Sequence, residues 1–515
     1  MAYYPIVRHL LDRSALWRDR AVFRSAAGDL MHDDLCEGML RIAGWLTGEM
    51  GIVPGDRVAI CLPKSLAAVQ LLYGILAAGA AYVPLQFRGP PARLATILGS
   101  IRPRLLLTTR EMSARLSAFH GMARSLRMVT IEGDGGGCDL EHFLATTASA
   151  TSIPEVDSEA PGAIYFTSGS TGEPKGVVLS HQSIAMTLAW VQESRQEGPD
   201  DRLISLAGLH YVASIGLFFP VLSGSSQFLL SESQAMFPDQ VASIIERERI
   251  TQLLITSTAL RLLFEGGALE RRDLAALRRI EFFGEPFPVP LLCQIMAILP
   301  RTEFVNIYGA TEAYDMASYA VPRPLPENLR ALPLGKPCPR YGLTLRDDDG
   351  AEVPKGAVGE ICVTGRQVMS GYWNDPELTA MRRLDGRPDS YRTGDLAMVD
   401  DAGLLHLVGR GDQMIKLRGH RIDLGEVEAV LKAHPAVHDA VALLAPAQQT
   451  ESQIHAFVVA GNSGCLMNDL GRLCRERLPR FSQPARISVL NEFPLLSTGK
   501  IDRQALSLRV SRGAS

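Results

Sequence analysis

Residues 165–177 read YFTSGSTGEPKGV, a run holding three glycines, four hydroxyl side chains and one lysine, Lys175. Glycine lets the backbone turn its N–H groups inward, and Ser and Thr hydroxyls add donors, so such a run makes an anion-binding concavity. Lys175 adds a compact positive charge suited to phosphate. The GK[ST] ending of a Walker A loop is missing. A polar surface loop would account for the glycine and serine content, but not for this order leading to a lysine. The chemistry implied is the handling of a phosphate group by Thr167, Ser168, Gly169, Ser170, Thr171, Gly172 and Lys175.

Such a loop must hang from a rigid scaffold, and the flanking sequence predicts one. Residues 57–62 (RVAICL) read as a buried strand, 66–78 as a helix and 81–85 (AYVPL) as another strand. The same rhythm recurs at 104–108, 163–167, 227–230, 252–255, 280–283 and 303–306. Strands alternating with helices predict mostly parallel sheets covered on both faces. Around 350–410 the texture changes to short runs with turn signals (DDDG, VPKG, DDAG), which predicts a β-rich part. A compact α+β segment follows, with helices near 424–433 and 467–478. The expected fold is therefore α/β: a large N-terminal domain, 1–411, of parallel-sheet α/β subdomains plus a β-rich subdomain, and a small α+β C-terminal domain, 412–515.

Composition bounds the function. The chain has 515 residues, about three domain lengths at roughly 150 residues each. Hydrophobic residues at 46% and charged residues at 21% exclude a mainly disordered chain. A net charge of -4 offers no global attraction for nucleic acid. That charge is an average: residues 413–515 carry 13 Lys/Arg against 9 Asp/Glu, or +4, and the remainder is -8. None of the eight cysteines forms a CxxC pair, and no His cluster stands at metal-ligand spacing, so reduced cysteines in a cytoplasmic protein are expected. The N-terminus is charged throughout, unlike a signal peptide. The uncharged stretches 65–87 and 203–230 are broken by polar and turn residues, so no membrane association is expected.

Five ordered motifs carry a resemblance. Residues 165–177, 306–312 (NIYGATE), 391–396 (YRTGDL), 409–428 (GRGDQMIKLRGHRIDLGEVE) and 497–503 (STGKIDR) are similar to those of the adenylate-forming superfamily of acyl-CoA synthetases, luciferases and nonribosomal peptide synthetase adenylation domains. The resemblance implies that a carboxylate attacks the α-phosphorus of ATP and expels pyrophosphate. Both reactants are anionic, so catalysis should rest on positioning and charge neutralisation. It implies Glu312 as a Mg²⁺ ligand, a hard oxygen for a hard cation. It further implies Thr311 on the α-phosphate, and Tyr308, beside Gly309, stacking on adenine. Asp395 would accept from the ribose hydroxyls, with Arg410 as a second ribose or phosphate contact. Gly284, Glu285 and Pro286 resemble the backbone segment beside adenine. Lys500 matches the catalytic lysine that bridges carboxylate and α-phosphate. Asp412 resembles the hinge about which the C-terminal domain, a lid, rotates between two half-reactions. Gly419 then lies where a pantetheine arm passes, with no room for a Cβ.

The second half-reaction is expected to form a thioester. The wording of 418–428 and of the C-terminal tail is closer to peptide synthetase adenylation domains than to typical acyl-CoA ligases, which points to the phosphopantetheine of a carrier protein, with CoA as the alternative. Only twelve residues follow Arg503, so that carrier is expected to be a separate chain, loaded in trans by a stand-alone enzyme. A basic C-terminal part suits an acidic carrier, although a solvated charged face explains it nearly as well.

For the acid, residues 209–224 (LHYVASIGLFFPVLSG) align with the family's pocket segment and put His210 at an aromatic gate. Tyr211 then stands where α-amino-acid-activating members carry an aspartate for the substrate ammonium. A buried ammonium without a counter-charge is costly, so an ordinary α-amino acid is disfavoured. The alignment also places Val212, Ile215, Glu281, Phe283, Ile307, Asp315 and Met316 near the pocket. Two carboxylates among apolar side chains can read a cation further along the substrate, which predicts a β- or distal-amino (or guanidino) acid. The competing reading has Glu281 facing solvent and Asp315 capping the next element. Other readings left open are an acyl-CoA ligase for an aliphatic or aryl acid, an oxygenase sharing only the first step, and a non-catalytic adenylate-binding protein. The last predicts loss of Lys175, Glu312, Asp395 or Lys500, and all four are present.

Overall fold

The computed structural model describes residues 6–511 except 120–125, 133–137, 140–143, 145, 151, 168–172, 328, 411–413, 446–451, 461–465 and 495–500. Two large sheets dominate. In the first, nine strands run in the spatial order Lys336–Pro337, Tyr314–Ala320, Glu303–Ala310, Arg279–Phe283, Gln252–Thr256, Arg202–Ser205, Ser226–Leu229, Ala21–Ser25, Gly28–Met31. From Glu303–Ala310 to Ala21–Ser25 every pairing is parallel, as the strand–helix rhythm predicted. The second sheet has eight strands and is centred on Arg57–Cys61, flanked by Ala81–Pro84 and Leu105–Thr108 in parallel. Parallel strands covered by helices are apolar on both faces, and all of Ala81–Pro84 and Leu105–Thr108 is buried.

Local chemistry explains the elements. Helix Leu66–Ala77 begins where the Ser65 hydroxyl accepts from the Ala68 amide, satisfying a donor that the first turn leaves free. It is apolar almost all round and buried from Ala68 to Ala77, which fits a helix enclosed in a core. The other long uncharged stretch resolves into strand Arg202–Ser205, the 3₁₀ turn Val212–Phe218, the short helix Pro220–Ser223 and strand Ser226–Leu229. Among the described residues no helix is long and apolar enough to cross a membrane.

Residues 342–410 form a four-stranded antiparallel sheet, Gly342–Arg346, Gly359–Thr364, Ser390–Val399 and Leu405–Arg410, the expected β-rich part. The smaller C-terminal domain holds the hairpin Met414–Leu417/His420–Asp423 and a three-stranded sheet, Val437–Ala445, Gln453–Ala460 and Arg486–Leu490. Helices Leu424–Lys432 and Leu466–Arg477 pack on it. Val427, Leu431, Ala442, Val458 and Leu470 form a core there of the domain's own. Several strands were not foreseen, among them Ala21–Ser25, Gly28–Met31, Arg202–Ser205 and Tyr314–Ala320. Tyr314–Ala320 pairs antiparallel with Glu303–Ala310 across a tight turn in which Tyr314 takes φ 52°.

Candidate active site

The two large sheets and the C-terminal domain converge on a cavity of about 380 Å³. Thr167 lines it from the end of strand Pro161–Thr167, and that strand pairs antiparallel with Lys175–Ser180 in the register Thr167 to Lys175. The glycine- and hydroxyl-rich loop is therefore closed by a hairpin. Ser168, Gly169, Ser170, Thr171 and Gly172 lie outside the described residues. Gly309 and Thr311 reach the cavity from the end of strand Glu303–Ala310, and Phe283 and Gly284 from the neighbouring strand end. Gly284 has φ 105°, a conformation for which glycine is suited.

Tyr308 and Asp395 do not line this cavity. Both are buried, and the Tyr308 hydroxyl donates to Asp395 Oδ2 at 2.5 Å while Arg410 pairs with Oδ1. Glu312 is buried with one oxygen accepting from the Tyr372 hydroxyl at 2.8 Å. Among the described residues no group of three or more His, Cys, Asp or Glu is placed to hold a metal ion. Glu312 does not line the cavity, and a lone buried carboxylate would fit Mg²⁺ only with most other ligands drawn from substrate phosphates and water. Glu312 would be its protein ligand, and the ion would supply charge neutralisation across the phosphates.

Of the residues expected near the acid, His210, Tyr211, Val212, Phe283 and Asp315 line the cavity. Ile215, Ile307 and Met316 are buried and do not line it. Burial pushes the His210 imidazole down to about 3, so it is neutral, and its Nε2 is buried without a hydrogen-bond partner.

Glu281 corrects the sequence reading. It neither reaches this cavity nor faces solvent: its two carboxylate oxygens are taken by Arg195 at 2.5 Å and by Arg279 at 3.0 Å. Burial alone would raise its pKa, but the two guanidiniums prevail and hold it below the usual carboxylate range. Asp315 is also not a helix cap. It lies in strand Tyr314–Ala320, facing the cavity, and burial pushes its carboxyl up to about 7, with Glu281 adding repulsion and Arg195 opposing. Glu197, 3.6 Å from Arg195, is pushed up to about 7 chiefly by burial as well. Arg195 thus faces Glu281, Glu197 and Asp315, while Arg279 is shared between Glu281 and Glu303, so carboxyls outnumber guanidiniums here. Arg195 and Glu197 were missed in the sequence because ESRQEGPD reads as a polar connection after a helix.

The C-terminal domain closes one side. Gly419 lines the cavity at φ 76°, and a Cβ there would come within 2.6 Å of Thr256 Cγ2. Its amide donates to Glu285 Oε1 at 2.6 Å, and Thr258 donates to Oε2 at 2.7 Å. Pro286 is exposed and does not line the cavity. Arg93, at the cavity wall, pairs with the lid's Glu426, with 10% and 1% of the two side chains exposed. Asp412 and Lys500 lie outside the described residues.

Known proteins resemble this chain in sequence and in fold. The model of the family described as AMP-binding enzyme matches residues 11–373, and that of the AMP-binding enzyme C-terminal domain matches 426–500. The chain is similar to the L-proline--[L-prolyl-carrier protein] ligase of Streptomyces coelicolor, with 32% identity over 89% of this chain and 88% of that protein. It is 32% identical to phenyloxazoline synthase MbtB of Mycobacterium sp. over 96% of this chain, but spans only 41% of that protein's length. Among solved structures, the amide bond synthetase McbA from Marinactinospora thermotolerans superposes with a TM-score of 0.86, 28% identity, and coverage of 98% of this chain and 99% of that one.

Proposed function

The chain belongs to the AMP-binding enzyme family of adenylate-forming ligases, and we propose that it activates an acid bearing a β- or distal amino group and passes it to a carrier-protein thiol. In the first step a carboxylate oxygen bonds to the α-phosphorus of ATP and pyrophosphate leaves. Thr167 and Thr311 stand at the cavity, where they would meet the phosphates; Glu312 would hold Mg²⁺, which would neutralise phosphate charge, and Lys500 would bridge carboxylate and α-phosphate. In the second step the thiol sulfur attacks the acyl carbon, loses its proton and releases AMP.

The observation that carries the substrate reading is Asp315. Its carboxyl faces the cavity beside the buried Glu281–Arg195–Glu197 cluster, and burial pushes it up to about 7. A substrate ammonium would balance that cluster, and a buried charge is stable only when paired. Tyr211, at the α-amine position, offers no counter-charge. Pyrophosphate exchange into ATP across a panel of acids tests this: β- and distal-amino acids should exceed matched α-amino and plain acids at least tenfold. Plain aliphatic or aryl acids outperforming every amino acid would overturn it.

The acceptor reading draws support from the carrier-protein ligase, which the chain matches over nearly its whole length. A second reading, transfer to an amine, has one observation in its favour, the superposition on an amide bond synthetase. Intact mass of a holo-carrier, set against free CoA and a primary amine in parallel reactions, separates the acceptors. A cytoplasmic setting is part of the proposal, in keeping with the free thiols of Cys36, Cys61 and Cys338.

A further inference from the structure

Tyr211 stands at the start of the 3₁₀ turn Val212–Phe218, on the wall of the acid cavity. Its hydroxyl crosses to the other domain and shares a 2.6 Å hydrogen bond with Nδ1 of His420, 209 positions later. His420 opens the second strand of the lid hairpin, next to Gly419. Its ring lies flat on Phe481 with centroids 3.8 Å apart, and Tyr211 packs on His210 at 4.0 Å. Four rings therefore run without a break from the acid wall into the lid. Burial raises the Tyr211 phenol and lowers the His420 imidazole to about 4, so both partners are neutral and no charge is stranded by the contact.

We propose that Tyr211 and His420 form a clasp that holds the lid in the orientation for acyl transfer, which makes them positioning residues for the second half-reaction. The inference rests on the two-step reading above. In this orientation Gly419 is presented to the cavity, and any rotation that withdraws the hairpin must break the bond. An aspartate at position 211, as in α-amino-acid-activating members, is too short to make it. Trading that aspartate for tyrosine exchanges an ammonium anchor for a lid contact, and it ties the lid to the wall that the acid touches. The hydrogen bond adds a second directional contact to the ring packing.

The test compares full-length wild type with His420→Phe, which keeps a ring on Phe481 but loses the acceptor, with Tyr211→Phe, and with the double variant. The acid is the one giving the fastest pyrophosphate exchange, and free pantetheine is the thiol probe. The clasp predicts that each single substitution lowers the ratio of single-turnover thioester formation to exchange about tenfold, and that the double variant loses no more than either single. An unchanged ratio, or losses that multiply in the double variant, would overturn it. A purely structural role would depress both half-reactions together. Hydrogen exchange of the ligand-free enzyme gives an acid-independent reading. His420→Phe should speed exchange in hairpin 414–423 about tenfold and leave the sheet built on Gln453–Ala460 unaltered. Equal hairpin exchange in His420→Phe and wild type rejects the clasp, whereas a wild type inactive with every acid rejects the adenylation reading instead.

Discussion

Tyr308 donates a 2.5 Å hydrogen bond to Oδ2 of Asp395, 87 positions away and in a different sheet. Arg410 occupies the other carboxylate oxygen. The bond therefore fastens the nine-stranded sheet to the four-stranded one and orients a carboxylate proposed to receive ribose hydroxyls. Tyr308→Phe keeps the ring and leaves a buried carboxylate oxygen without this donor, a loss of about 1–3 kcal/mol. The expected outcome is a KM for ATP raised roughly fivefold, with a smaller change in kcat, read by pyrophosphate exchange at varied ATP. An unchanged KM would mean that Asp395 does not need this orientation.

Arg195 is the keystone of the buried charge cluster. It is 5% exposed, pairs with Glu281 at 2.5 Å, and lies over the Phe219 ring at 4.7 Å. Arg195→Met fills similar space but leaves Glu281 with Arg279 alone and removes the guanidinium paired with Glu197. Breaking a buried pair in this way costs about 3–5 kcal/mol. Chemical denaturation should show that loss in the large domain, and a drop under 1 kcal/mol would show that water reaches the cluster.

The contrast between Glu281 and Asp315 shows what the sequence could and could not disclose. Both were placed near the pocket by alignment, and strand Arg279–Phe283 was foreseen from its run of apolar residues. Glu281 sits at the buried centre of that strand, however, and its partner Arg195 comes from the end of a helix far earlier in the chain. Periodicity reports which face a side chain takes, not which distant cation meets it. The same limit hid the Tyr211–His420 bond. The glycine- and hydroxyl-rich loop after a strand, the parallel strands and the C-terminal helices were legible because glycine order, β-branched runs and helical spacing are local signals, whereas the hairpin partner Lys175–Ser180 was not read. Strand Tyr314–Ala320 was not, because its turn carries no glycine and relies on Tyr314 at positive φ.

Gly419→Ala is expected to damage acyl transfer more than adenylation. A methyl group would meet Thr256 at 2.6–2.9 Å, and the Thr256 side chain is tied down as the cap accepting from the Ala259 amide. The left-handed backbone adds about 1–2 kcal/mol for any residue with a Cβ. The hairpin must then retreat from the cavity. Thioester formation should fall roughly 30-fold or more in single turnover, with a smaller loss in pyrophosphate exchange. Equal losses in both would place Gly419 outside the second step.

Asp315 should make both stability and substrate affinity depend on pH. Its folded pKa, about 7, lies above the ordinary carboxyl value of 3.8, so between these values the native state holds a proton that the unfolded chain has lost. Stability then falls as pH rises from about 4 to about 7 and levels off above, because the slope follows the difference in bound protons. Glu197, raised from 4.5 to about 7, acts in the same direction. Asp315→Asn removes one of the two contributions, so its Tm relative to wild type should climb through that window and then stay constant. The substrate effect has the opposite sense. An ammonium group favours ionised Asp315, so in wild type an amino acid should bind more tightly as pH passes from 6 to 8, releasing up to one proton. Calorimetry in buffers of different ionisation enthalpy counts that proton, and Asp315→Asn should abolish the release and weaken binding at pH 8 by tenfold or more. A Tm difference that does not change with pH would mean that the carboxyl is ionised throughout, and the charge argument for an amino acid substrate would lose its footing.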